Sequence, residues 1–471
     1  MAVARLPRIE RALAELERSL GPSKVVSDAE LLQRYAIDES EVTPRAPDCA
    51  VIARSTIDVA TTLRIAEKHG VAVTPRAGGT GRTGGSVPVD GGIVLTFERM
   101  NELRGVEPDD LLAVAEPGLI AGRLHEMVEG EGLFYPPDPN SLDSCAIGGT
   151  VAENAGGPRA FKYGVTREYV LGLEVVLMGG QVLRLGRRTV KGVTGYDLTA
   201  LVVGSEGTLA VITEVTLKLV RRPTELRTLV ALFPDVGSAG TAVTGCIARG
   251  LVPRCLELLD GSALAAVRRA ASLPIDARAN AMLLLEVDGD DATHVDRELE
   301  RCGSACADAG AIEVLVAKDG TERARLWSAR RGLSRALRTL AKSKLAEDVV
   351  VPRSRVPDLL RWVAGQSESR GIRMPTYGHA GDGNLHVNFL WDDDGERPAV
   401  DAAIAALFRE VVRMGGTLSG EHGIGVLKAP YLGLEQSEGV IDLQRRLKDT
   451  FDPHGLLNPG KIFPRRGHGP C

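Results

Sequence analysis

The chain has 471 residues, 44% of them hydrophobic and 25% charged, and a net charge of −5. That length exceeds what one hydrophobic core supports, so two or three domains are expected. The slight acidity, with no basic stripe interleaved with aromatics, gives no reason to expect nucleic acid as a partner, and no apolar run approaches the ~18 residues of a membrane span.

The first segment, "MAVARLPRIERALAELERSL", sets Glu10, Glu15 and Glu17 among its arginines. It reads as an amphipathic surface helix rather than a signal or transit peptide, and cytoplasmic residence follows as the expectation. Ile57 to His69 reads as a helix stopped by Gly70, followed by a short strand. Then comes "PRAGGTGRTGGSVPVDGG", beginning at Pro75, in which Gly79, Gly81 and Gly84 satisfy the GxGxxG dinucleotide fingerprint. A Rossmann fingerprint must open a helix, because the helix N-terminus holds the pyrophosphate. Here Pro88 and the Gly91–Gly92 pair break any helix, and Ile93 to Phe97 returns to strand. The Rossmann match is therefore accidental. A glycine loop between two strands remains, either a nest of backbone N–H groups for a pyrophosphate or a merely flexible turn.

From Thr228 to Gly415, strand-like runs such as "AMLLLEV" alternate with helices at Asp291 to Gly310 and Thr321 to Lys342. This pattern predicts an α+β domain with a ferredoxin-like core. The seven cysteines are scattered and odd in number, which does not suggest a disulfide framework. Cys302 and Cys306 have CxxxC spacing with no second pair, so a structural role is expected for them rather than a metal or iron–sulfur site. "GIRMPTYGHAGDGNLHVNFL" reads as a hairpin about the turn "AGDGN". His379 ends its first strand, His386 lies on the second, and Asn388 shares the His386 face. Further on, "GGTLSGEHGIG" presents Glu421 and His422 on a glycine-flanked turn. Two histidines and a glutamate form a common Zn²⁺ or Mn²⁺ ligand set with a position left open for substrate. Spacing alone also fits hydrogen-bonded core histidines.

A second glycine cluster, "PPDPNSLDSCAIGGTVAENAGGPRAFKYGV" from Pro136, precedes "KGVTGYDLTALVVGSEGTLAVITEVTLKLV" from Lys191. In this order of motifs, from about Val25 to Pro464, the chain resembles the vanillyl-alcohol oxidase/p-cresol methylhydroxylase (PCMH-type) superfamily. It is most similar to the FAD subunit of glycolate oxidase and to D-lactate and D-2-hydroxyglutarate dehydrogenases. The resemblance implies an α+β protein with a two-part PCMH-type FAD-binding domain and an α+β cap. A helical segment would span 1–45, the FAD-binding domain 46–223, and the substrate- and metal-binding cap 224–450. Residues 451–471 would return to the FAD domain and end in a tail.

Carried over residue by residue, the resemblance places the FAD pyrophosphate on Pro75, Arg76, Ala77, Gly78, Gly79, Thr80, Gly81, Thr83 and Gly84. Pro139, Asn140, Ser141, Gly148, Gly149 and Asn154 would run along the ribityl chain and isoalloxazine, and Gly157, Tyr163 and Gly164 would also bind the cofactor. Glu206, Gly207 and Ile212 would close over the adenine half, and Asn458 and Lys461 would reach the isoalloxazine side, a plain surface tail being the competing reading. Some relatives attach FAD through a loop histidine. Here Thr80 occupies the middle of the loop and no histidine is present, so FAD is expected to bind non-covalently.

The same likeness makes His379, His386 and Glu421 metal ligands, zinc or manganese, with His422 the base. Arg330 would hold the substrate carboxylate, with Ser334 and Asn388 lining the site. A crowd of arginines on the same helix (Arg323, Arg325, Arg331, Arg335, Arg338) keeps a solvated helix face open as the reading of Arg330. An α-hydroxy acid can chelate one cation through its carboxylate and hydroxyl, while a neutral imidazole takes the hydroxyl proton and hydride leaves for flavin N5. The D-2-hydroxyglutarate branch has a threonine and a lysine where this chain has Ser334 and Ala346, and Lys344 could substitute only by moving. A small monoacid, D-lactate or glycolate, is therefore expected, with D-2-hydroxyglutarate the alternative. Two other readings are a non-catalytic flavin subunit of an oxidase complex and a flavoenzyme like alkyl-glycerone-phosphate synthase. The synthase relatives carry a histidine run where this chain has "GHAGDGNLH". No nicotinamide site is found, so electrons are expected to pass to a quinone, a cytochrome, an electron-transfer flavoprotein or an iron–sulfur partner subunit. Such a partner would allow peripheral attachment at a membrane, and a homodimer is among the open assemblies.

Overall fold

The computed structural model describes residues 2–271 and 275–463; residues 464–471 of the expected tail lie outside them. The backbone divides into two compact units, one of residues 1–155, 165–222 and 421–471, the other of residues 156–164 and 223–420. Among the described residues, no helix is long and apolar enough to cross a membrane.

Among the described residues the first unit holds a two-stranded sheet, Leu133–Phe134 with Val220–Arg221, and two larger ones. In the four-stranded one, strand Ile93–Thr96 lies between Cys49–Ile52 and Val73–Arg76, parallel to both, and Val25–Val26 adds an antiparallel edge. The other is a five-stranded antiparallel sheet centred on Val211–Lys218. Helix Thr56–His69 forms as its sequence predicts. Ser55 caps its N-terminus by accepting from Asp58 N, and Gly70 ends it in the left-handed region at φ 64°. The core around it contains Val59, Leu63, Ile93 and Leu95, and the N-terminal helix Ala2–Leu20 adds Ala12 and Leu16. Between strands Val73–Arg76 and Ile93–Thr96 no helix forms, so the glycine-rich stretch is a loop and not a Rossmann turn.

The second unit is built on a seven-stranded antiparallel sheet. Its strand order is Glu313–Val316, Glu225–Phe233, Ala281–Gly289, Cys255–Asp260, Thr376–His379, Asn384–Trp391, Ser343–Val350. Register decides which residues share a face, because side chains alternate along a strand. Glu257 pairs with Leu284 and with His379, Tyr377 with His386, and His386 with Asp348. One face therefore carries Glu286, Asp288, Glu257, Tyr377, His379, His386, Asn388 and Asp348. The opposite face carries buried Leu256, Leu258, Leu283, Leu285, Leu385, Val387 and Phe389. Cys302 and Cys306 are fully buried one turn apart on helix Ala292–Asp308.

One sequence expectation differs from the structure. The helix expected from Thr321 to Lys342 is two helices, Gly320–Arg331 and Leu333–Arg338, with Gly332 between them. The two units gather segments from along the chain. The N-terminal helix packs into the core of the first unit. The chain returns to that unit at Glu421, where Glu206 holds the backbone N–H groups of Ile424 and Gly425. Residues 156–164 leave for the second unit, where Lys162 and Tyr163 bind the buried Asp288.

Candidate active site

The hairpin forms as expected, and Gly383 shows why its turn needs glycine. Its φ is +87°, and a Cβ there would lie 2.1 Å from the Val351 carbonyl oxygen. The two strands set the His379 and His386 rings edge to face with centroids 5.3 Å apart. On either side a neighbouring strand puts a carboxylate opposite each histidine, Glu257 against His379 and Asp348 against His386. His379 Nδ1 lies 2.6 Å from Glu257 Oε1. An ionised carboxylate only accepts, so Nδ1 carries the proton and Nε2 is the nitrogen that can ligate. His386 Nδ1 is 3.8 Å from Asp348 Oδ1. Asp348 accepts from Asn384 Nδ2 at 2.5 Å, from Ser419 Oγ at 3.0 Å and from Gly420 N at 2.8 Å. Glu421 follows Gly420 by one peptide bond, and one ligand atom from each of His379, His386 and Glu421 lies within 4.8 Å of the others. The donor set, two imidazoles and a carboxylate, suits Zn²⁺ or Mn²⁺.

Arg330 is buried at the end of helix Gly320–Arg331, whereas Arg325, Arg331, Arg335 and Arg338 are exposed. That removes the solvated-face reading. Its Nη2 lies 2.5 Å from Glu257 Oε2, and its guanidinium stacks 4.7 Å from the centre of the Tyr377 ring. Burial acts to raise the Glu257 carboxyl, but the charges of Arg330 and His379 outweigh it and hold it below its ordinary value. Lys344 Nζ donates to Ser334 Oγ at 3.0 Å. Asn388 is fully buried; its Nδ2 donates to the carbonyls of Pro375 and His386, and its Oδ1 accepts no hydrogen bond among the described residues.

In the first unit, backbone N–H groups from Gly78 to Gly85 donate to no protein acceptor among the described residues. Thr83 and Gly84 are nonetheless buried. Such a run of donors in glycine-rich backbone fits a pyrophosphate. Gly79 is demanded by its left-handed backbone at φ +68°, and a Cβ there would also lie 2.1 Å from Arg76 Nη2. Pro139 and Ser141 accept backbone bonds in the turn around Asn140. Gly148 and Gly149 begin helix Ile147–Glu153, where a Cβ on Gly149 would meet Ala77 at 3.7 Å and one on Gly148 would strike Pro117 at 2.5 Å.

Four residues singled out from distant parts of the sequence meet around this loop. Thr83 Oγ1 donates to the His422 carbonyl at 3.0 Å, and Thr83 O accepts from Val426 N at 2.8 Å. Both Glu206 oxygens accept at 2.7 Å, from Ile424 N and Gly425 N. Asn458 Nδ2 donates to the carbonyls of Gly85 and Glu206, and Lys461 Nζ to that of Val87. The C-terminal segment is thus no plain surface tail as far as Phe463.

Other expected cofactor residues have partners of their own. Asn154 ends its helix at φ 55°, and its Oδ1 accepts from Arg167 N. Ile212 is buried in strand Val211–Lys218, and Gly207 adopts φ 67° after Glu206 at φ 52°. Tyr163 OH donates to Asp288, with Gly157 and Gly164 in the same second-unit segment. Sequence reasoning missed Glu153, Glu257 and Asp348. The signal for Glu257 was present, an acidic residue set between leucines inside the apolar strand "CLELLD".

Residues 47–186 match the FAD binding domain family, and residues 222–462 match the FAD linked oxidases, C-terminal domain. The chain belongs to the FAD-linked oxidases. Glycolate oxidase subunit GlcD of Bacillus subtilis is 40% identical over 91% of this chain and 92% of its own length. A D-lactate dehydrogenase of Anaerostipes hadrus is 31% identical over 97% and 98%. A D-2-hydroxyglutarate dehydrogenase of Stutzerimonas stutzeri is 32% identical over 95% and 98%. In fold, this FAD-linked oxidase is similar to 4-ethylphenol oxidase from Gulosibacter chungangensis, with a TM-score of 0.80 at 22% identity over 98% of each chain. It is thus an FAD-linked oxidoreductase of the glycolate oxidase, D-lactate dehydrogenase and D-2-hydroxyglutarate dehydrogenase group, with the PCMH-type fold.

Proposed function

We propose that the chain oxidises a small D-2-hydroxy acid, D-lactate or glycolate, to the 2-oxo acid, using non-covalent FAD and one divalent cation, zinc or manganese. The observation that carries this reading is the convergence of His379, His386 and Glu421 within 4.8 Å, with His422 next in the chain. When bound, FAD supplies the acceptor for the Cα hydrogen and its two electrons, and the cation supplies a Lewis acid for the substrate hydroxyl. His379 Nε2, a ring nitrogen of His386 and a Glu421 oxygen would hold the cation. A ring nitrogen of His422 takes the hydroxyl proton; Glu421 Oε1, 3.9 Å from His422 Nε2, favours the imidazolium that results. Arg330 orients the substrate carboxylate with the N–H donors that Glu257 does not occupy, since a guanidinium has five. The loop Pro75–Gly84 holds the FAD pyrophosphate on backbone N–H groups.

A second reading has one specific observation behind it. The Lys344–Ser334 hydrogen bond places a cation on the face that carries Asn388, which suits a second carboxylate such as that of D-2-hydroxyglutarate. Electrons then leave to a quinone, a cytochrome, an electron-transfer flavoprotein or an iron–sulfur subunit; the Bacillus relative, itself named a subunit, supports the last.

Steady-state reduction of a dye acceptor tests the reading on metal-replete enzyme. D-lactate and glycolate should turn over, and L-lactate should not. Faster oxidation of L-lactate than of D-lactate would overturn the assignment. Higher kcat/KM for D-2-hydroxyglutarate, lost selectively in Lys344→Met, would establish the second reading instead.

A further inference from the structure

Glu257 is fully buried in a strand whose neighbours Leu256, Leu258 and Leu259 are buried leucines, and its cross-strand partner on one side is Leu284. Packing alone would favour an apolar residue there, because a buried ion pair is often no more stable than well-packed hydrophobic groups. On the other side Glu257 meets His379, and two strands further Asp348 meets His386. The hairpin is therefore flanked by a carboxylate on each side, in register.

We propose that Glu257 and Asp348 are the positioning carboxylates of the metal site: Glu257 orients the His379 ring, and Asp348 fixes the chain that delivers Glu421. This rests on the metal reading above. Glu257 Oε1 at 2.6 Å from Nδ1 selects one tautomer and one ring orientation for His379, presenting Nε2 as the ligand. Arg330 lies behind it, its Nη2 2.5 Å from the second oxygen of Glu257, a charge contact that favours this setting of the carboxylate. Asp348 acts on the third ligand by another route. One of its oxygens accepts from Ser419 Oγ and Gly420 N, while the other accepts from Asn384 Nδ2 at the hairpin turn. A single side chain thus ties the hairpin to the residue that precedes Glu421.

The test is a titration of chelator-treated, FAD-loaded enzyme with Zn²⁺ or Mn²⁺ in competition with a chelating dye. The double variant Glu257→Leu/Arg330→Met removes the carboxylate without stranding the arginine charge, and Asp348→Asn keeps an acceptor but loses the charge. Each should bind the ion about 10–100-fold more weakly, with flavin absorbance unchanged. Nitrogen-15 spectra of the metal-free wild type, assigned by loss of one signal set in His379→Asn, should show His379 protonated at Nδ1. Binding by the Glu257 double variant as tight as wild type, or an Nε2–H tautomer of His379 in the wild type, overturns the positioning role. A wild type that binds neither ion takes down the metal reading itself.

Discussion

Glu153 buries a carboxylate oxygen that accepts no hydrogen bond among the described residues, and with Glu206 it closes around Gly423. A Cβ on Gly423, whose φ is +76°, would lie 2.2 Å from Glu153 Oε2 and 2.9 Å from Glu206 Oε1. Burial, then Glu206, then Asp38 push the Glu153 carboxyl well above its ordinary value of 4.5. Burial raises Glu206 too, but the N–H groups of Ile424 and Gly425 and the charges of Lys461 and Lys428 act against it. Glu153 is therefore the group that keeps the proton. The sign follows from linkage: above pH 4.5 the unfolded chain releases a proton that folded Glu153 retains. Stability then falls as pH rises, until the folded group itself ionises. Glu153→Gln copies the protonated acid without the titration, so its advantage over wild type should be near zero in mild acid and grow as pH rises. Urea unfolding of the flavin-loaded proteins at several pH values measures it, and a gap that stays constant with pH would refute the protonated state. Gly423→Ala should cost about 1–3 kcal/mol in the same assay through its left-handed backbone alone. It should also lower kcat, because it displaces the loop that carries His422.

Elements with local signals are legible in the sequence alone. The helix Thr56–His69, its Gly70 stop, the loop that fails as a Rossmann turn and the two-histidine hairpin all follow from residues within one or two dozen positions of each other. What escapes depends on register between strands far apart in the chain. Glu257 and His379 are separated by 122 residues, and nothing at either position announces that they pair. The break at Gly332 escapes for another reason, since a glycine inside a helical pattern usually costs stability without ending the helix. The Lys344–Ser334 hydrogen bond is likewise unannounced by spacing, which cannot show that the Lys344 strand lies against helix Leu333–Arg338. At this scale the hairpin turn is the sharpest test. Gly383→Ala brings both a strained φ of +87° and a Cβ at 2.1 Å from Val351 O. It should destabilise by about 1–3 kcal/mol or more and weaken metal binding with it, because both histidines hang on that turn. Unchanged metal affinity in a folded Gly383→Ala protein would show that the histidines are held by the outer strands alone.

At the scale of the whole molecule, the two proposed cofactors draw on different lengths of chain. The nest from Gly78 to Gly85, Glu206, and the clamp by Asn458 and Lys461 all belong to the first unit. His379, His386 and the carboxylates behind them belong to the second, with Glu421 supplied at the point where the chain leaves it. Each cofactor should therefore be lost without the other. Asn458→Ala removes two hydrogen bonds, to Gly85 O and Glu206 O, that hold the end of the nest. It should lower the flavin-to-protein ratio after gel filtration while the metal content per folded chain stays at the wild-type level. His379→Asn or Glu421→Gln should do the reverse, removing the metal by elemental analysis and leaving the flavin spectrum as it was. His422→Ala should keep both and lose about 10²–10⁴-fold in kcat, the usual worth of a general base. Acid precipitation of any of these proteins should release FAD into the supernatant, as expected of a loop with no histidine to link it. Yellow pellets would refute the non-covalent attachment. A His379→Asn protein that lost flavin and metal together would refute the separation of the two sites.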